Sequence, residues 1–435
     1  MENTEALQIK IRKKTFADAN RIKLPTRVQT LFNWFAFFLA FPVLDVFGLS
    51  ITFFIFLLIA QYYISRNITL IRADKSNIWF WLFLFASIVS SIFHPPLMNP
   101  VSPLETLRGL IQFSYWIILA LVVKSNYTLI DWNQISRYIF IGLLMLIFTF
   151  YFVPLKFTTP VVALNFAQSR NGVVFNVLNF LPLIFWHMRS SKLRPYTWFF
   201  LAIFVLGILF SNGRAGFVLI IFQMLLIGSI VSKRFKAFYR YGVIALALLS
   251  LVWIQLENSP FMERLAQQVE TVNPRAASLI SKSGNEGDLE MDKSWLLREL
   301  MVKKAFEISN MYPLFGIGIF NFTNYDAELS GLNDVQRLGG YSTNFYNSRS
   351  AHNSYAQQLA EGGYVGLGLL ILILWISVKP ALTKILFGGF ILDDLPLICM
   401  LTLSIYFYVI SSLTGSGTWF IIGLAHAVDT KLVAK

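Results

Sequence analysis

The sequence predicts an all-α polytopic membrane protein, and three observations predict it. The 435 residues are 56% apolar and 14% charged, where soluble domains carry roughly 25% charged residues. Mean hydropathy is +0.60. Twelve segments approach the ~20 mostly apolar residues that a bilayer span requires. Charge this sparse does not cover the surface of a soluble protein. The 42 Phe, 17 Tyr and 11 Trp exclude a solvated, disordered chain. A single cysteine, Cys399, excludes an internal disulfide framework and any cysteine-based metal site.

Residues 1–27 read as a basic cytoplasmic tail, with Gln8 to Arg27 lying on the inner leaflet. The tail is no cleavable signal, because its basic stretch is long and no small-residue cleavage site follows the first apolar run. Nine spans then fall near 28–44, 46–64, 77–93, 107–123, 136–153, 172–188, 196–211, 215–231 and 241–256, the first two joined by a tight turn at Asp45. A loop occupies 257–351. Spans near 354–378, 396–413 and 417–430 fill the region 352–430, and 431–435 form a second cytoplasmic tail.

Lys and Arg in the connections set the orientation. With the N-terminus in the cytoplasm, twenty-three of the 36 Lys and Arg fall on the cytoplasmic side. The short outer loops hold only Arg108, Lys156, Arg170 and Arg214, and the rest lie in the long loop, which this rule does not count. Both termini are therefore expected in the cytoplasm. The net charge of +13 is mostly a topology signal with some attraction to anionic lipid, rather than a nucleic-acid footprint.

The 257–351 loop is too long to be a plain connection. Trp295, Leu296, Leu300, Met301 and Phe306 recur at helical spacing, so a helix is expected from Ser294 to Ile308. Asp292 or Ser294 would cap its start, and Pro313 would stop it. The polar run Ser281 to Asp292 suits a mobile stretch, and the whole loop suits a lid over an outer-leaflet site. Asp288, Glu290, Asp292 and Glu299 sit at positions 1, 3, 5 and 12 of a calcium loop. Lys293 replaces the sharp-turn glycine and Leu296 stands at position 9, so the stretch reads as a solvated acidic run. No His-rich cluster or H-E-x-x-H pattern is present.

Polar residues gather at the outer ends of spans. They form Gln168-Ser169-Arg170-Asn171-Gly172, Ser211-Asn212-Gly213-Arg214-Ala215-Gly216 and Ala351-His352-Asn353-Ser354, all on one side and at one depth. Arg170 and Arg214 each open a span, where a helix N-terminus favours anions and a guanidinium adds a bidentate fork for phosphate oxygens. Two such arginines suit a pyrophosphate. Against this stands simple interfacial anchoring. His352 opens span ten beside Asn353, and imidazole is the usual general base for a hydroxyl. Gln357 and Glu361 follow on the same helix, where Glu361 either pairs with an arginine or faces the cavity. Trp419, Thr418 and Ser416 are candidates to line a sugar site. His94, His187 and His426 read as structural.

These residues carry a family resemblance. The segment KKAFEISNMYPLFGIGIFNF at 303–322, AHNSYAQQLAEGG at 351–363 and SNGRAG at 211–216 together resemble the O-antigen ligase and polymerase superfamily over about residues 165–413. The resemblance implies a GT-C-like, metal-independent and cofactor-free membrane glycosyltransferase with a long, partly helical periplasmic loop. The donor would be a glycan on polyprenyl (undecaprenyl) pyrophosphate. The acceptor would be a lipid A-core sugar or another lipid-linked repeat unit, as in lipopolysaccharide and other surface-polysaccharide biosynthesis. It implies the bacterial inner membrane with a site facing the periplasm. His352 would assist the acceptor hydroxyl, Arg214 and Arg170 would bind the donor pyrophosphate, and Asn353 and Glu361 would bind substrate. Asn212-Gly213 stand before Arg214 where many members have Ser or Thr. A flippase for lipid-linked oligosaccharide is the competing reading; it needs a polar path through the bilayer, and the spans are nearly free of charge. A scaffolding membrane protein, its outer arginines only anchoring, is the third.

Overall fold

A computed structural model describes residues 24–46, 49–66, 69–93, 103–153, 156–158, 162–165, 170–190, 194–210, 214–231, 242, 289–325, 350–388, 390–408, 413 and 415–433. Its helices, in chain order, are α1 Thr26–Ala40, α2 Ile51–Ser65, α3 Ile78–Ile92, α4 Pro103–Asn126, α5 Trp132–Phe152, α6 Arg170–Ser190, α7 Thr197–Phe210 and α8 Arg214–Val231. They continue with α9 Leu289–Met311, α10 Ser354–Thr383, α11 Leu395–Tyr406 and α12 Ser416–Val433. Helices stand at eleven of the twelve expected span positions. The ninth position, 241–256, lies outside the described residues apart from Gly242, as do His94 and the basic tail up to Lys23.

The chain is a helical membrane protein. Among the described residues, the segments Lys75–Ile92, Leu104–Asn126, Trp132–Phe152 and Ser354–Phe387 are long and apolar enough to cross a bilayer, and six further apolar helices are shorter. Lipid gives helices little hydrophobic reason to associate, so close packing at small residues carries much of the contact. The α4–α12 pair illustrates this. A Cβ on Gly423 would overlap the Ala120 carbonyl, so the two backbones meet there directly. In the α1–α5 pair, a Cβ on Gly142 would lie 2.7 Å from the Phe37 carbonyl oxygen.

The helix ends fall into two groups. At one end, the buried Lys124 ammonium in α4 meets the Asp74 carboxylate at 2.7 Å and Asn77 Oδ1 at 2.6 Å. Partial burial of Asp74 opposes its ionisation, but hydrogen bonds from Lys124 and Ser76 outweigh it and hold the carboxyl below its ordinary range. Lys384 and Asp394 pair at 2.7 Å at this end too. His426 is buried in α12 with Nε2 3.0 Å from the Ile373 carbonyl and its ring edge-on to Phe80, a structural placement as expected.

The opposite end carries the addition that periodicity did not announce, a four-stranded antiparallel sheet in the order β2-β1-β4-β3. Its strands are β1 Leu44–Val46, β2 Leu49–Ser50, β3 Lys156–Thr158 and β4 Val162–Asn165. The Asp45 turn is thus a β-hairpin, in which Asp45 pairs with Ser50. Asp45 also faces Ala163 of β4, which ties the α1–α2 connection to the α5–α6 connection. Burial raises the Asp45 carboxyl above its usual range against the pull of Arg108.

Replacing Gly423 with valine forces the α4 and α12 backbones apart. Overpacking of this kind costs about 1–3 kcal/mol, so a melting temperature several degrees lower is expected for the detergent-purified protein. An unchanged midpoint would contradict the direct backbone contact.

Candidate active site

The site is organised by a break in α10. Gly363 has φ 62° and ψ −166° in the middle of the helix. In an unbroken helix, Tyr364 N–H would bond the Ala360 carbonyl and Val365 N–H the Glu361 carbonyl. Both bonds are replaced. The Ala360 and Glu361 carbonyls accept instead from Ile317 N–H and Gly318 N–H, each at 3.0 Å. Tyr364 N–H donates to the Pro313 carbonyl (2.8 Å) and Val365 N–H to the Leu314 carbonyl (3.2 Å). The segment Pro313-Leu314-Phe315-Gly316-Ile317-Gly318 therefore enters the break and meets all four freed groups.

Glycine is required on both sides of this clasp. Gly316 has φ +66°, and a Cβ there would press on the Ala360 and Glu361 carbonyls. Gly363 has φ +62°, and a Cβ there would strike Leu314 and lie 2.7 Å from Phe315 N. Both positions combine a left-handed backbone with close approach of another strand of chain.

Helix α3 fastens the clasp through two serines. The Ser90 hydroxyl reaches the Glu361 carbonyl at 2.6 Å and also contacts the Phe315 carbonyl. Ser91 Oγ accepts from Ile319 N–H at 3.2 Å. Neither serine was singled out from the sequence. Two adjacent hydroxyls at the end of an apolar span were the available signal.

Helix α9 packs on the first half of α10. Leu300, Met301, Ala305 and Ile308 form a buried cluster with Ile317, Phe322, Ala351, Ala356 and Ala360. The expected helix exists, but it starts at Leu289, so Asp292 and Ser294 lie inside it and cap nothing. Glu290, Asp292, Lys293 and Glu299 also lie on this helix, which is not a calcium-loop geometry. It ends at Met311, two residues before Pro313, as expected. Phe306 is 52% exposed, and Lys304 takes an inward position instead, fully buried with Nζ 4.8 Å from the Phe322 ring centroid. Residues 301, 305 and 308 share one face, whereas position 306 is turned about 100° from 305.

His352 sits at the corner where the chain enters α10. It has φ 49°, a left-handed backbone unusual for a non-glycine residue, and is half-buried. Asn353 explains how the corner holds. Its side-chain oxygen accepts the Tyr355 and Ala356 N–H groups, each at 3.0 Å, and caps the helix. Ser354 N–H donates to the Phe407 carbonyl at 2.7 Å and the Tyr355 hydroxyl to the Ser404 carbonyl at 2.7 Å, docking the corner on the end of α11.

Glu361 is 5% exposed. Its Oε1 accepts from Gln357 Nε2 at 3.0 Å and from Phe322 N–H at 3.3 Å. With Phe113, Ile319, Ser354, Gln357, Gln358 and Leu413 it lines a cavity of about 20 Å³. Glu361 thus faces a cavity, one of the two alternatives that the sequence leaves open.

Arg170 and Arg214 are the first residues of α6 and α8. The first turns of these helices touch, since a Cβ on Gly216 would overlap Val174. The Phe175 ring stacks on Tyr406 with centroids 6.3 Å apart, which joins the start of α6 to the end of α11 and so to the His352 corner. Arg298 of α9 acts electrostatically on Tyr406. It is a site candidate that sequence reasoning passed over among nine loop cations. Trp419 is fully buried between Phe83 and Phe113 with its indole N–H on the Leu413 carbonyl at 2.8 Å, so it is core. Thr418 is fully buried as well. Among the described residues no group of three or more His, Cys, Asp or Glu side chains is placed to hold a metal ion.

The starts of α6, α8 and α10, the end of α11 and the clasp thus gather at one end of the bundle. Residues 199–371, which contain Arg214, Arg298, the clasp, His352, Asn353 and Glu361, match the family model described as O-antigen ligase. Over these residues the chain is similar to the O-antigen ligase family. No curated protein matches the chain. The activity of the family is glycan transfer of ligase or polymerase type, with lipid-linked glycan substrates in a membrane setting. The match begins after α6, so Arg170 lies outside it.

Changing Gly363 to alanine, or Ser90 to alanine, is expected to loosen the clasp. Hydrogen–deuterium exchange should speed up at the amides of Ile317, Gly318, Tyr364 and Val365 while those of α4 and α5 stay protected. Losing the Ser90 hydroxyl should cost about 1–2 kcal/mol. Unchanged exchange at those four amides would mean that the break is held by something else.

Proposed function

We propose that the protein is a metal-independent, GT-C-like membrane glycosyltransferase that moves or polymerises a glycan carried on polyprenyl pyrophosphate. The acceptor is a hydroxyl of a lipid A-core sugar or of another lipid-linked repeat unit. One observation carries this reading: the O-antigen ligase match covers the start of α8, the clasp and the His352 corner, which meet at one end of the bundle. The uneven distribution of Lys and Arg supports both termini in the cytoplasm and this end on the opposite face, and twelve spans in the bacterial inner membrane with that face periplasmic complete the proposal. The division into a 1–27 tail, spans over 28–256, a loop at 257–351, spans over 352–430 and a 431–435 tail belongs to the same proposal.

In the proposed reaction, His352 takes the proton of the acceptor hydroxyl as its oxygen attacks the anomeric carbon. The bond from that carbon to the phosphate oxygen breaks, and polyprenyl pyrophosphate leaves. Arg170 and Arg214, at two helix N-termini in contact, hold the growing charge on the leaving group. Arg298 of α9, which acts electrostatically on Tyr406, is a third candidate to hold this charge. A single displacement inverts the anomeric centre. Asn353 spends its side-chain oxygen on the helix cap, so its NH2 group is the part left to meet substrate. Glu361 contributes from the cavity wall.

Reconstitution with a purified lipid-linked oligosaccharide, with and without lipid A-core, tests the proposal. Longer polyprenyl-linked chains indicate a polymerase and glycosylated core indicates a ligase. Unchanged donor that crosses the bilayer would instead point to a flippase. His352→Ala should lower kcat by about 10²–10⁴-fold, the usual worth of a general base. Arg214→Ala should weaken transfer strongly, and Arg214→Lys should restore part of it, because lysine keeps the charge but not the fork. Full activity of His352→Ala would end the base assignment.

A further inference from the structure

Among the described residues, two neighbouring glutamines on α10 keep polar atoms in the protein interior without partners. Gln357 Oε1 and Gln358 Nε2 are both buried and neither makes a hydrogen bond there. Buried polar groups are nearly always paired, so two beside one cavity call for a reason. A hydrogen bond sets the orientation of the Gln357 amide. Gln357 gives its Nε2 to Glu361 Oε1 at 3.0 Å, which leaves its oxygen as the spare acceptor. Gln358 is 5% exposed, and its Nε2 lies over Gly362 and Gly366, where a Cβ at Gly366 would come within 2.7 Å. The two glycines leave the room that this amide occupies.

The cavity that both side chains line holds about 20 Å³, enough for one water-sized oxygen, which needs roughly 10–15 Å³. Its chemistry narrows the occupant further. A cation would meet the Gln358 N–H. An anion would meet Gln357 Oε1 and the Glu361 carboxylate. An apolar group would leave both amides unmet. A hydroxyl oxygen donates once and accepts, so it satisfies both unmet amide atoms, Gln357 Oε1 and the Gln358 N–H.

We propose that this cavity binds a single hydroxyl oxygen between Gln357 and Gln358, supplied by a resident water or by a sugar hydroxyl of the acceptor glycan. The second source rests on the glycan-transfer reading; the first does not. Ser354, which also lines the cavity, is two residues from His352, so an acceptor hydroxyl seated here would fix a sugar next to the proposed base.

The test has two arms on the full chain. The first is a cryo-EM map in lipid nanodiscs without substrate, at a resolution that shows ordered water. The second is transfer from a polyprenyl-pyrophosphate glycan with acceptor titrated, for wild type, Gln357→Leu and Gln358→Leu. A density peak within hydrogen-bond reach of both amides, with acceptor KM unchanged in the variants, assigns the site to water. An acceptor KM raised about tenfold or more with kcat nearly constant assigns it to the sugar hydroxyl. An empty cavity together with unchanged acceptor KM overturns the proposal. Should Gln358→Leu fail to fold, Gln357→Leu and Gln358→Asn carry the kinetic arm. If wild type transfers no glycan, the enzymatic reading falls, and the density arm still decides this one.

Discussion

Helix α10 is interrupted in a setting where an interruption must be repaired. Two carbonyls and two N–H groups are released around Gly363, and unmet polar groups in an apolar surrounding are expensive. The Pro313–Gly318 segment supplies two donors and two acceptors in matching order. Much else follows from that repair. It fixes where α9 must end, and it sends Phe320 against Trp116 and Phe322 against Lys304. It also brings the Phe322 N–H to the Glu361 carboxylate. The half of α10 that carries the Asn353 cap is held as a separate short helix, with its own neighbours and its own direction.

The remainder of the bundle is a frame for this end. Gly423 on Ala120 and Gly142 on the Phe37 carbonyl let helices approach closely where lipid gives them little other reason to associate. Lys124 with Asp74 and Lys384 with Asp394 pin the far end. The small sheet ties two connections at the near end. The irregular backbone lies near the end of the bundle, and the frame keeps it in register.

The sequence shows the helices well because a span is written in composition, and twenty apolar residues need no tertiary context to be read. It also shows His352, Arg170 and Arg214, since charge is rare enough here to be conspicuous. The clasp was visible only as a pattern of glycines and a proline. Its pairing joins residues 313–318 to 360–365, and no local period encodes that distance. Asn353 reads as a substrate ligand in the sequence, and in the fold its oxygen also caps α10 on two backbone amides. The sheet was hidden for a related reason, as strands of two to four residues leave no alternation to detect. Phe306 and Lys304 exchanged roles because a buried lysine over an aromatic ring contradicts the hydropathy on which a helical face is drawn.

The clasp also acts as a ruler on the chain. Pro313 and Leu314 serve one side of the break and Ile317 and Gly318 the other, so the two residues between them are a fixed span. A residue inserted or lost there would set donor against donor. Variation in the length of this protein's relatives should therefore avoid 313–318 and the facing 360–365, whatever glycan each relative handles. The two short segments are in effect one structural unit divided across the sequence, and they can change in length only together.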